Sequence, residues 1–159
     1  MSDSKYKTMR HIETVRNYLD ACSEELNERG QLHDQTKLDN PELETFDKYT
    51  PMLKTLVYDS EEYRACLKAM APALKHHYMY NDHHPEHFEN GIKDMNLIQL
   101  LEMIVDWKAS GMRHYTGDIF KSIELNSVRF GISDELKQIL INTAEWLEIQ
   151  NVYHRADES

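Results

Sequence analysis

The chain offers few places at which a helix must stop. Its 159 residues include only 5 Gly and 4 Pro, the residues that most often break helices and turn hairpins. Apolar residues instead recur at steps of three and four, which is the spacing of one helix face. The first such stripe, within residues 4–29, consists of Ile12, Val15, Leu19, Cys22 and Leu26. The sequence therefore predicts an all-α protein without strands.

At this length, one hydrophobic core can hold a domain together without disulfides or metals. We expect a single compact domain over residues 1–159, with about six to seven helices of ordinary length. Its motif-bearing part is predicted at about 8–115, its C-terminal helices at 116–150 and a frayed tail at 151–159. An apolar stripe on the last helix fits either the core or an interface, so a homo-oligomer stays open. That stripe consists of Leu136, Ile139, Leu140, Thr143, Trp146 and Leu147.

Four residues mark expected helix ends. Gly30 and Gly131 follow patterned stretches and are predicted C′ stops. Asn96 and Ser133 precede patterned stretches and are predicted N-caps. Residues 78–96 lack any apolar period and are predicted to form a long loop, which in a compact domain is often functional.

The formal net charge of −10 argues against a nucleic-acid polymer as partner, because phosphate backbones are bound by clustered Lys and Arg. A small phosphorylated ligand is still compatible, if bound cations reverse the sign of the charge inside the pocket. No apolar run approaches the ~20 residues of a membrane span, and the first residues lack the apolar segment of a secretory signal. Cys22 and Cys66 are predicted to be separate buried thiols, typical of a reducing cytoplasm.

Histidines near the start of the chain are candidate metal ligands. His11 projects within about 20–40° of Val15 and Cys22 at 100° per residue, which also suits a core histidine bonded to a backbone carbonyl. His33 and Asp34 are adjacent, and neighbours on a helix point about 100° apart. Both can therefore reach one metal only at a helix end or across a groove. Taken alone, the pair also fits a capping Asp beside a surface His.

A polar stripe crosses the helix predicted after Asn96, which is otherwise apolar nearly all round. Glu102, Asp106 and Arg113 project within roughly 40° of one another. Buried charges are costly unless they are paired or bound to a metal, so these side chains need partners. A structural bridge between Arg113 and one of the acids is the alternative to a metal ligand.

The segment HHYMYNDHHPEH, residues 76–87, contains five of the nine histidines. Imidazoles at this density commonly ligate transition metals. His76 and His77 are predicted at the end of a well-patterned helix, which would hold them still. The later histidines follow in the loop, where exposed side chains could also bind metals only adventitiously.

In chain order, the candidates are His11, the His33–Asp34 pair, the His76–His77 pair and Asp106. This arrangement resembles the HD-domain superfamily of metal-dependent phosphohydrolases over about residues 8–115. HDQTK at 33–37 is similar to the HD-x-x-K motif of the HD-GYP branch, and HHYMYNDHHP at 76–85 is similar to its double-His motif. The whole stretch, with EMIVDWKAS, is also similar to a family of small uncharacterised phage and bacterial proteins.

The resemblance implies an HD-like fold with one or two divalent transition metals. The ligands that it implies are His11, His33, Asp34, Asp106, His76 and His77. Asp34 would bridge the two ions, and His-rich ligands suit iron, manganese, cobalt, nickel or zinc better than magnesium alone. The interval between Asp34 and His76 offers no match for a further ligand.

The function implied is hydrolysis of a small phosphorylated molecule, with a nucleoside mono- or triphosphate as first choice, by attack of a metal-bound water. Asp34, Lys37 and Glu102 are the expected catalytic residues. Lys37 would neutralise charge on the phosphoryl group, and Glu102 would orient a ligand or accept a proton. The expected substrate-binding residues are Lys37, Asn81, His83, His84 and Arg113.

Other functions stay open. A cyclic-nucleotide phosphodiesterase would be a second enzyme of the same type. A non-catalytic HD-like module could bind metal or nucleotide as a sensor or as an inhibitor of a host system, for example in a phage–host interaction. A purely helical interaction protein would use the acidic surface and the 8 Met, which suit partner helices. That last class leaves the order of the histidines unexplained.

Overall fold

The computed structural model of the chain describes residues 3–56, 60–112 and 117–156. Within these ranges the protein is all-α, as the sequence predicts, and contains no strand. The α-helices are α1 (Asp3–Leu32), α2 (Glu42–Leu53), α3 (Glu61–Tyr80), α4 (Leu97–Met112), α5 (Ile119–Phe130) and α6 (Asp134–Ala156). Short 3-10 segments occupy Gln35–Leu38, Pro85–His87 and Gly91–Asp94. No helix in the described part of the chain combines the length and the apolar character that a bilayer crossing requires.

The chain divides into two compact units, residues 1–81 and residues 82–159. The first unit contains α1, α2 and α3, and the second contains α4, α5 and α6. Each unit is described by itself below. A single HD-like domain over residues 1–159 stays a prediction.

In the first unit, α3 packs against α2 through a short apolar stripe. Cys66, Met70 and Ala73 are buried at steps of four and three along α3, which is one helix face. Ser60 caps the start of this helix: its hydroxyl accepts a hydrogen bond from the backbone N–H of Tyr63 at 3.1 Å. Polar residues are buried between the same helices, so this small interior also holds a candidate site.

The first helix, α1, differs from its prediction in two ways. It continues through Gly30 to Leu32, because a helix can include glycine where nothing forces a left-handed turn. Its apolar stripe is not buried: no residue of α1 is buried, and Ile12 and Leu19 are 60% and 64% exposed. Cys22 is exposed as well, contrary to prediction. Periodicity identifies an apolar face but not the surface that covers it.

The second unit has a larger apolar core, formed by α4, α5 and α6. Its buried members are Met103, Ile104, Ile119, Ile123, Ile132, Leu140 and Ala144. Only part of the stripe predicted on α6 joins this core, since Leu140 is buried whereas Ile139 and Trp146 remain more than half exposed. α4 contributes Met103 and Ile104 to this core, whereas its apolar residues Leu97 and Met112 are exposed.

Local signals explain most helix ends of the second unit. Asn96 caps α4 as predicted, and Gln99 completes a capping box: each side chain accepts a hydrogen bond from the other residue's backbone N–H, at 3.0 and 2.9 Å. Gly131 ends α5 in the left-handed conformation, with φ 62°. Ser133 accepts a hydrogen bond from the backbone of Leu136 at 3.3 Å and so caps α6 as predicted.

The segment between α3 and α4 is shorter and better ordered than a long open loop. α3 extends to Tyr80, and two 3-10 segments shape the remainder. Asn81, His83 and Pro85 are buried. The alternative of exposed loop histidines therefore does not hold for His83.

Candidate metal centre

The His33–Asp34 pair lies in the turn that follows α1. A helix end is one of the two places at which adjacent residues can both reach one ion. Asp34 adopts a left-handed backbone conformation, with φ 57° and ψ 14°, and its carbonyl accepts a hydrogen bond from the backbone of Lys37 at 2.9 Å. Few residues other than glycine adopt this conformation, although Asp tolerates it better than most. The turn directs the side chain of Asp34 inward, where it is mostly buried.

Glu42, at the start of α2, is the residue that sequence analysis missed. Its side chain is 0% exposed, and its two oxygens accept hydrogen bonds from Nδ1 of His76 at 2.7 Å and from Nδ1 of His77 at 2.9 Å. A carboxylate can only accept here, so both histidines carry their proton on Nδ1. In the sequence, Glu42 is recognisable only as an acidic residue in the first turn of a helix. Acidic residues are common there because they interact favourably with the helix dipole.

This arrangement directs Nε2 of His77 toward Asp34. The distance from His77 Nε2 to Asp34 Oδ1 is 3.4 Å. Burial lowers the pKa of His77, and the Lys37 ammonium lowers it further, which outweighs the opposite effect of Asp34 and Glu42. With a neutral ring and the proton on Nδ1, two acceptor atoms face each other at this distance.

The spacing of these two acceptors fits a shared metal ion. Ligand nitrogen and oxygen atoms that lie ~2.1 Å from one ion at the tetrahedral angle are about 3.4 Å apart. Asp34 Oδ2 faces the other way, 3.6 Å from His33 Nε2. Asp34 therefore presents one oxygen to each of two histidines, as a bridging carboxylate would.

Lys37 supplies the positive charge at the carboxylate. Its Nζ donates to Asp34 Oδ2 at 2.6 Å and lies 5.2 Å from the ring centroid of Phe46. Burial alone would raise the pKa of Asp34, but the attraction of Lys37 and its hydrogen bond hold that pKa below its usual value. Asp34 is therefore ionised at neutral pH.

Two polar residues complete the surroundings of His77. The Asn81 side-chain amide donates to the His77 carbonyl at 2.8 Å and to Thr36 Oγ1 at 2.9 Å. Thr36 Oγ1 lies 3.4 Å from His77 Nδ1. Asn81, which is predicted to contact substrate, thus joins the 3-10 segment to the end of α3.

The structure does not bring His11 to this cluster. His11 is exposed on α1, and that helix is continuous to Leu32. His11 and Leu32 are 21 residues apart, so at ~1.5 Å per residue they lie about 31 Å apart along the helix axis. Among the described residues of the first unit, the cluster consists of His33, Asp34, Lys37, Glu42, His76 and His77.

A family model matches residues 1–148, and the family is described as one of unknown function, DUF5662. The chain belongs to DUF5662. Searches of curated proteins and of solved structures gave no significant match. The candidate site residues of this DUF5662 protein all lie within the matched range.

The second unit of the DUF5662 chain contains its own carboxylate–histidine pair. His83 is 2% exposed, and its Nδ1 donates to Glu102 Oε1 at 3.1 Å, so Glu102 fixes the orientation of this imidazole. The His84 ring lies 4.1 Å from the His83 ring between centroids. Asp106 is half-buried one turn after Glu102 on α4, and Arg113 lies outside the described residues.

The same carboxylate–histidine hydrogen bond thus occurs in both units of the DUF5662 protein. A carboxylate accepts a hydrogen bond from Nδ1 of a buried histidine, at Glu42 in the first unit and at Glu102 in the second. In metal proteins such a bond fixes the tautomer and orientation of the ring and makes the other nitrogen a better ligand. The donor set of imidazoles and carboxylates is the one that transition metals prefer.

Proposed function

We propose that this protein is a divalent-metal-dependent phosphohydrolase acting on a small phosphorylated molecule, with a nucleoside mono- or triphosphate as first choice. The observation that carries the proposal is the pair of hydrogen bonds that Glu42 accepts from His76 and His77. A buried carboxylate that orients two adjacent imidazoles has little use in a purely structural core, where apolar residues would pack as well. A cytoplasmic location belongs to the same proposal.

The first unit supplies ligands for one or two transition-metal ions. Asp34 and His77 would hold one ion, and His33 would approach the other oxygen of Asp34, as their spacing suggests. Such ions lower the pKa of a water molecule and polarise phosphoryl oxygens when bound. The resemblance to HD-domain phosphohydrolases supports phosphoryl chemistry, and the choice of a nucleotide comes from that resemblance.

The residues of the chain have separate tasks in this proposal. Asp34 stays ionised and holds the cation site beside His77. Lys37, whose Nζ donates to Asp34 Oδ2, would contact an anionic oxygen of the substrate. Its positive charge would offset the negative charge that develops on the phosphoryl group. Glu42 keeps His76 and His77 in the tautomer that leaves Nε2 toward the site.

The test is elemental analysis combined with a hydrolysis screen. The protein, purified without a His tag or chelators, should contain iron, manganese, cobalt, nickel or zinc. After loading with Mn²⁺ or Co²⁺ it should release phosphate from members of a nucleotide panel. Asp34→Asn should reduce that release by at least about 100-fold, because the variant loses the charge that holds the cation.

Asp39→Asn is the matched control. Asp39 is an exposed acid five residues further along, and its substitution should leave both the metal content and the activity unchanged. Metal-loaded protein that releases no phosphate from the panel would refute the phosphohydrolase. Equal activity of the Asp34→Asn variant and the wild type would refute the site.

A further inference from the structure

We propose that the ammonium group of Lys37 takes the place of a second cation at Asp34, so that the first unit binds one metal ion rather than two. The two oxygens of Asp34 have different neighbours. Oδ1 lies 3.4 Å from His77 Nε2, a spacing that fits a shared ion. Oδ2 lies 3.6 Å from His33 Nε2 but also accepts a hydrogen bond from Lys37 Nζ at 2.6 Å. The metal ion is therefore expected on the Oδ1 side.

The backbone holds Lys37 close to Asp34. Both residues belong to the turn after α1, and the backbone N–H of Lys37 donates to the Asp34 carbonyl at 2.9 Å. This hydrogen bond closes the turn, in which Asp34 has the left-handed conformation. The side chain of Lys37 therefore begins one 3-10 turn away from the carboxylate that it bonds.

An aromatic ring contacts the same ammonium. Lys37 Nζ lies over the ring of Phe46, 5.2 Å from its centroid, and Phe46 is half-buried on α2. A cation is attracted to the face of an aromatic ring within about 6 Å, and more strongly where water is partly excluded. The Phe46 ring also packs edge-on against the ring of His77, with centroids 6.0 Å apart. Asp34 and Phe46 thus hold the ammonium through contacts that need no bound ligand.

Charge repulsion opposes a metal ion on the oxygen that this ammonium already bonds. An ion ~2.1 Å from Oδ2 would lie at most about 4.7 Å from Lys37 Nζ, because Nζ is itself 2.6 Å from that oxygen. Positive charges at such a distance repel strongly where solvent screens them little. The side chains of Lys37 and Asp34 are both less than a third exposed. Asp34 therefore bridges one metal ion and one ammonium.

Metal counting by equilibrium dialysis and elemental analysis tests the proposal. Wild-type protein dialysed against Mn²⁺ at concentrations up to about 1 mM should bind one ion per chain. Lys37→Met keeps an apolar side chain beside Phe46 but removes the charge, and it should bind two ions, with a Kd for the second at least about 100-fold lower than in the wild type. Lys37→Gln, a second neutral variant, should also bind two. Circular dichroism checks that each variant is folded.

Lys48→Met is the matched control. Lys48 is an exposed residue of α2, and its Nζ lies 4.9 Å from the ring centroid of Tyr49. The substitution removes the same charge from beside an aromatic ring, at a distance from Asp34 in the sequence, and should leave the count at one ion. Two ions in the wild type, two in Lys48→Met, or one in both neutral variants of Lys37 would overturn the proposal.

Electron paramagnetic resonance locates the second ion. Wild-type protein loaded with Mn²⁺ should give the spectrum of isolated ions. Lys37→Met with two ions should give the spectrum of an exchange-coupled pair, because ions that share one carboxylate lie about 4 Å apart. Adding His33→Ala to Lys37→Met should return the count to one, since His33 is the expected ligand of the second ion. Uncoupled ions, or two ions without His33, would place the second ion elsewhere and overturn the proposal.

The role of Lys37 rests on the metal centre of the proposed function but not on hydrolysis. A protein that binds one ion, gains a second in Lys37→Met and releases no phosphate would refute the phosphohydrolase and leave the role of Lys37 established. Two ions in the wild type, together with phosphate release, would refute the role of Lys37 alone. Wild-type protein that binds no Mn²⁺ would refute the metal centre and both proposals.

Discussion

Replacing Glu42 by Gln gives the sharpest test of how the first unit is built. The wild-type carboxylate is fully buried and accepts two hydrogen bonds from imidazole Nδ1 atoms. Gln keeps one oxygen and turns an NH₂ group toward the second histidine, which is also a donor. Hydrogen bonds to a charged group contribute about 1.5–3 kcal/mol each, and a buried donor without an acceptor costs about 1–3 kcal/mol. The expected loss in the free energy of unfolding is about 3 kcal/mol.

Urea denaturation followed by circular dichroism measures this loss. With a typical urea dependence of about 2 kcal/mol per M, the midpoint of the transition should fall by about 1.5 M. Glu44→Gln is the matched control: Glu44 lies in the same helical turn, is exposed and accepts a hydrogen bond from the exposed Asn40 side chain at 3.0 Å, so the expected loss stays below about 0.5 kcal/mol. Equal midpoints for the two variants would refute the argument that Glu42 holds the histidine pair.

Three further predictions concern the helix ends. Gly30→Ala should raise the free energy of unfolding by about 0.5–1 kcal/mol, whereas Gly131→Ala should lower it by about 1 kcal/mol; a Cβ has open space at both positions, but only Gly131 has a positive φ. Asp118→Ala should cost about 1 kcal/mol in the same urea assay, because the Asp118 side chain caps α5 through the backbone N–H groups of the first turn. Hydrogen bonds from its own backbone and from a neighbouring serine lower the pKa of Glu135, so carboxyl NMR should find it below the ordinary 4.5. The stability that this shift contributes is present above pH 4.5 and is lost as the pH falls through the lowered pKa.

Much of the fold could be predicted because its signals are local. The capping box at Asn96, the left-handed stop at Gly131 and the serine cap at Ser133 each depend on residues within a few positions of one another. Gly30 shows the limit of such signals. Glycine permits a helix to stop but does not require it, and the left-handed turn that ends α1 is made by Asp34 instead.

The candidate site could be predicted only in part, for a related reason. His33, Asp34, His76 and His77 were visible as clusters along the chain. Glu42 was not, because its role depends on the packing of α2 against α3, which no local pattern records. His11 lies on an exposed part of α1, away from this cluster, because α1 continues unbroken to Leu32, and a local pattern does not record how far a helix extends.

The backbone conformation at Asp34 restricts what evolution can place there. A φ of 57° suits Gly, Asn and Asp, whereas other side chains cost roughly 1–2 kcal/mol in this region. Few substitutions should therefore be tolerated at this position. Homologues that lose the proposed metal site while keeping the fold should carry Asn or Gly at this position, and a Ser or Ala there would indicate a different turn.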